Sequence, residues 1–108
     1  MNNVMDINSL LRRLITLTED NKCQWDELSN HVYRLIVKDG TIQIQKQLDT
    51  FGQFMYSVKL FDNAECFATF LSNEEYNLKE LLEELFLAIK RYRDRAINIK
   101  IAHVFGHL

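Results

Sequence analysis

From Leu78 onward the chain repeats a single interval. Leu78, Leu82, Leu85, Ile89, Tyr92, Ala96 and Ile99 follow one another at alternating steps of four and three residues. On a helix of 3.6 residues per turn this spacing draws a narrow apolar stripe down one side, the seam by which one helix meets another. Leu81, Phe86, Ala88 and Ile97 flank the seam and widen it enough to cover a sheet as well. A helix from Glu74 to Phe105 would run about 50 Å, whereas a domain of this size has a radius of gyration of only about 13 Å. Either the helix breaks around Asp94 to Asn98, or its far half projects and finds a partner. Ile97, Ile99, Ile101, Val104 and Phe105 would lie bare on a projecting helix, which favours packing against a second copy of the chain. The expected homodimer interface is Leu85, Ile89, Tyr92, Ala96 and Ile99.

The stretch before this segment reads first as a helix and then as strands. From about Asn3 to Asn21, Val4, Ile7, Leu10, Leu11, Leu14 and Leu17 recur three and four apart and predict an amphipathic first helix. Trp25 follows in a connector, where its ring plugs the joint between helix and sheet and its indole N–H needs an acceptor. Strands are predicted over 31–38, 41–48, 54–61 and 66–71. Asp39-Gly40 reads as a type I′ hairpin turn, and Asp62 to Glu65 as the next turn. In the second strand Ile42, Ile44 and Leu48 face inward, while Gln43, Gln45 and Gln47 leave one sheet face wet. Ser72 with Glu75, or Asn77 with Glu80, has the form of a capping box opening the last helix, and Gly106 stops it. No proline, repeat or linker divides the 108 residues. The expectation is one α+β domain spanning 1–108: an N-terminal helix, a four-stranded antiparallel meander, and a long C-terminal helix, with both helices on one sheet face.

Composition narrows the function. A formal net charge of −2 argues against charge-driven binding to nucleic acid or to an anionic membrane. Met1 to Asp6 lack the basic start and apolar core of a signal peptide, and no run approaches the ~20 apolar residues of a membrane span. A cytoplasmic location is expected. Cys23 and Cys66 are too few for a disulfide scaffold and read as reduced, partly buried residues. Gly40, Gly52 and Gly106 stand alone, so no phosphate-cradling loop exists, and neither a serine elbow nor zinc-type cysteine pairs can be found. These absences set the expectation of a non-enzymatic protein with no catalytic residue, cofactor or metal.

Lys90, Arg91, Arg93 and Arg95, interrupted by Tyr92, carry the most suggestive chemistry. Arg91 and Arg95 are four apart on one helix face, where two guanidinium forks could grip an anion while Tyr92 stacks on a ring. A solvated helix surface is the plainer account of the same charges. His103 and His107 share a spacing able to bind a metal, but no further ligand is in register, so they read as surface residues. Tyr33, Phe54, Tyr56, Phe61, Phe67 and Phe70 make an aromatic-rich sheet. With glutamines at the neighbouring outward positions, core packing accounts for these rings better than base stacking does.

The order of helix, tryptophan connector, tyrosine strand, Asp-Gly hairpin, the strand bearing Tyr56, Val58, Leu60 and Asp62, and a basic-ended long helix resembles short uncharacterised proteins of bacteria and their phages. That resemblance implies no activity, cofactor or binding residue. The leading expectation is a binding protein of inhibitor, immunity or regulatory type, acting on another protein. The alternative is a binder of a small anionic, nucleotide-like ligand, held by Arg91, Tyr92 and Arg95 at a dimer interface.

Overall fold

The computed structural model describes residues 5–108, so the part of the first predicted helix at residues 3 and 4 lies outside the described residues. The chain runs α1 (Ile7–Glu19), β1 (Asp26–Ser29), β2 (Val32–Val37), β3 (Gly40–Leu48), β4 (Phe54–Asp62), β5 (Glu65–Leu71) and α2 (Leu78–Phe105). The α+β class and the antiparallel meander between two helices are as expected. Among the described residues there are, however, five strands, in the order β1-β2-β3-β4-β5. The added strand, β1, reads Asp-Glu-Leu-Ser and is exposed along its length. Short, charged and irregular in register, it is built as a guarded sheet edge rather than as a core strand.

Tight turns connect the strands. The β2–β3 hairpin forms where Asp39-Gly40 predicted it, but Val37 pairs with Gly40, which puts Lys38 and Asp39 in the turn. Neither has positive φ, so the turn is not type I′. Gly40 is needed for another reason: a Cβ there would stand 2.8 Å from the Phe61 carbonyl oxygen on β4. Asn63 and His31 take the left-handed conformation in the other two-residue hairpin loops, an arrangement Asn tolerates well. Between β3 and β4 the Asp49 carboxylate accepts from the backbone N–H groups of Phe51 and Gln53, at 2.8 and 2.9 Å.

The alternation of the strands separates two faces. Across the outer face, Asp26, Arg34, Gln43, Lys59 and Thr69 lie in one register row, and it is polar from end to end. On the inner face Leu35, Ile42, Ile44, Tyr56 and Val58 join Leu11, Leu14 and Ile15 of α1 and Leu78, Leu81, Leu82, Leu85 and Ile89 of α2 in one buried core. Leu48 departs from expectation: at the end of β3, paired with the likewise exposed Phe54 of β4, it is exposed. Among the sheet aromatics Phe54 and Phe67 do the same, while Tyr56 is buried and Tyr33 and Phe70 pack against the core.

Trp25 closes the joint between α1 and the sheet. Its ring is buried, and its Nε1–H donates to the Thr18 hydroxyl at 3.0 Å, itself buried on the inner side of α1. Cys23 is buried beside it, which pushes its thiol pKa up, whereas Cys66 is exposed. Helix starts follow different rules. Asp6 caps α1, its carboxylate accepting from Ser9 N–H at 2.7 Å and its pKa lowered by that bond. Neither predicted capping box forms at α2. The Ser72 hydroxyl accepts from Tyr56 N–H instead, and Asn77, at the cap position, makes no side-chain cap bond.

Candidate functional site

α2 does not break at Asp94 to Asn98. It is one helix of 28 residues, about 42 Å at 1.5 Å per residue, and it draws the molecule out to 52 × 43 × 25 Å with a radius of gyration of 15.7 Å. A compact chain of this length has about 13 Å. Arg93 marks the end of the docked half. Its guanidinium donates to the Glu27 carboxylate on β1, a bond that raises the arginine's pKa, and it stands 5.8 Å from the centroid of the Tyr33 ring. Every residue of α2 beyond it is exposed.

The expected interface residues divide at this boundary. Leu85 and Ile89 are 0% exposed within the chain's own core and leave no surface for a second copy to touch. Tyr92 is half-buried, and Ala96 and Ile99 are exposed. What the single-seam reading missed is a second apolar stripe on the projecting half. Ile97, Ile101 and Val104 again step by four and three, with Leu108 following beyond the helix end, but they lie well around the helix from the core seam. Each is between 43% and 100% exposed, as are Ile99 and Phe105. The signal was present in the sequence as a change of heptad register.

Arg91, Tyr92 and Arg95 do come together. They line a hollow of about 290 Å³ with Thr18 and Glu19 from the end of α1. That volume falls at the floor of the roughly 300–1,000 Å³ typical of small-ligand sites, and the Glu19 carboxylate works against an anion there. The hollow fits a solvated, locally balanced helix surface better than a nucleotide-sized ligand. His103 and His107 are both exposed, and His107 lies beyond the helix end. Among the described residues no cluster of three or more His, Cys, Asp or Glu could hold a metal ion, and no helix is long and apolar enough to cross a membrane.

The projecting helix, basic and apolar at once, is therefore the part of the molecule least explained by its own fold. Comparison with known proteins adds no precedent for it: no family model, no curated protein and no solved structure matches the chain.

Proposed function

We propose that this chain is a binding protein that acts on another polypeptide as an inhibitor or regulator, and that it self-associates as a homodimer through the projecting half of α2. One observation carries this reading: five large apolar side chains, Ile97, Ile99, Ile101, Val104 and Phe105, are exposed on a stretch of helix that no other element among the described residues covers, and Leu108 is exposed just beyond its end. Monomeric proteins rarely leave such a patch bare. Ile99 lies on the opposite side of the helix, and the other five offer on the order of 500 Å² per protomer, at the low end for specific interfaces.

Sedimentation equilibrium of the wild-type chain and of the Ile97→Asp, Ile101→Asp double variant tests it. The expected result is a wild-type dimer and a variant monomer with unchanged circular dichroism, corresponding to at least a hundredfold, or about 2.7 kcal/mol, weaker association. A wild-type chain that stays monomeric at about 100 µM, well above the micromolar range of ordinary interfaces, would falsify the dimer. The projecting stripe would then be left to a different protein.

A further inference from the structure

β3 carries a lysine where its alternation calls for an apolar residue. Ile42 and Ile44 point into the core, and Lys46, next in that register, stands opposite Tyr56 of β4. A charged group so placed needs a counter-charge or an exit to water. Lys46 turns its ammonium outward over aromatic faces, 4.1 Å from the Phe54 ring centroid and 5.7 Å from that of Tyr56, within cation–π range. There it borders a cleft of about 920 Å³ between the inner sheet face and the docked half of α2. The helix wall is supplied by Lys79, Glu83, Phe86 and Lys90, spaced four, three and four apart on one side of α2.

Three features separate this cleft from an ordinary lysine-bearing surface. The two ion pairs among the described residues, Arg34–Asp26 and Arg93–Glu27, involve no lysine. Lys46, Lys79 and Lys90 therefore face a cleft with Glu83 as its sole lining carboxylate, a local excess of positive charge in a chain of net charge −2. The floor is aromatic and fixed: Phe86 meets Tyr33 and Tyr56 at 5.6 Å between ring centroids. Phe54 forms a lip that is 55% exposed, beside the loop held by the Asp49 carboxylate. Low-dielectric walls beneath unpaired cations focus potential into a concavity, and the volume lies within the usual range for small-ligand sites.

We infer that this cleft binds a small organic anion carrying a planar ring. The ring stacks on the exposed Phe54 face, and a phosphate or carboxylate lies among Lys46, Lys79 and Lys90. The site is distinct from the Arg91–Arg95 hollow and from the projecting stripe, and it does not depend on either.

Titration of the isotope-labelled full chain with adenosine 5′-monophosphate, followed by amide chemical shifts, tests the inference, with adenosine and inorganic phosphate as the two half-ligands. The nucleotide is expected to move residues around Lys46, Phe54, Tyr56 and Lys90 saturably and to bind about tenfold or more tighter than either half. In the Lys46→Gln, Lys90→Gln variant that binding should fall at least tenfold while the thermal unfolding midpoint stays in place. Added salt should weaken it as well. Equal binding of adenosine and the nucleotide would overturn the anionic assignment. Undiminished binding by the double variant would overturn the site, as would the absence of any shift at about 10 mM nucleotide, far above the range of specific affinities. Shifts in the cleft that track protein concentration without nucleotide would also overturn it, by assigning the cleft to a second copy of the chain.

Discussion

The two halves of α2 belong to one unbroken helix and have opposite environments. From Leu78 to Ile89 its apolar seam is 0–8% exposed against α1 and the sheet, while from Ile97 to Phe105 its large apolar residues are 43–63% exposed. The docked half is held by packing. The projecting half has only its own backbone bonds and its propensity, and Ile97, Ile99, Ile101 and Val104 are β-branched residues that lower that propensity. Isolated helices this short are marginal in water. A continuous apolar repeat thus does not show that a helix is uniformly supported. The register change near Arg93 is where support by the chain's own core ends.

The largest effect that separates the halves is truncation. Leu85→Ala removes a side chain that is 0% exposed and should cost about 2–5 kcal/mol in denaturant unfolding. Ile101→Ala, measured on the monomer, should stay within about 0.5 kcal/mol, as surface substitutions do. Comparable losses at the two positions would mean that the projecting half packs on its own domain.

Hydrogen exchange sharpens the same contrast. Amides of the docked half should exchange only through global unfolding, whereas those beyond Arg93 should exchange orders of magnitude faster in dilute protein. Their protection should rise with protein concentration if a second copy covers them. Slow, concentration-independent exchange there would remove the distinction altogether.

A smaller effect concerns the boundary. Glu27 and Arg93 tie β1 to α2, but both side chains are about two-fifths exposed, so solvent screens the pair. Glu27→Gln should lower stability by less than about 1 kcal/mol, a loss that shrinks with salt. Its clearer sign should be faster exchange over residues 90–93. Unchanged exchange there would show that Tyr33 and the helix itself set the boundary.

These regions also differ in how far the sequence declared them. The core seam, the hairpins and the Trp25 plug were legible because each rests on local spacing or on one side chain's chemistry. β1 was not, because a guarded edge strand has neither apolar alternation nor β-branched residues; only the partner strand identifies it. The start of α2 misled for a related reason: Ser72 and Asn77 have capping chemistry, but Ser72 is taken by the Tyr56 backbone across the sheet. The Arg91, Tyr92 and Arg95 cluster was legible as a cluster, yet its cramped hollow beside Glu19 was not, since the sequence does not say that α1 ends there. Lys46 carries a faint signal, a charge on the inward register of β3 opposite Tyr56, but a lone strand lysine does not by itself tell a cleft from a solvated edge.

The smallest expected effect probes the docked half through pH. Tyr56 packs its ring on Phe86 of α2; burial raises its phenol pKa above 10.0, and the nearby Glu83 carboxylate adds to the rise. The folded chain therefore holds this proton more tightly than the unfolded chain does. The corresponding stability is fully present below pH 10.0 and is lost as pH rises from there through the raised value. Thermal melts above pH 10 should fall more steeply for the wild type than for Tyr56→Phe, whose ring keeps the packing without a proton to lose. The comparison extends to Glu83→Gln, which removes the lesser cause and should make the wild-type decline shallower. Because Tyr56 and Glu83 both lie against the docked half, exchange beyond Arg93 should not respond to this titration. A projecting half that loosened in step with Tyr56 ionisation would show that the two halves melt as one unit, contrary to the division drawn at Arg93.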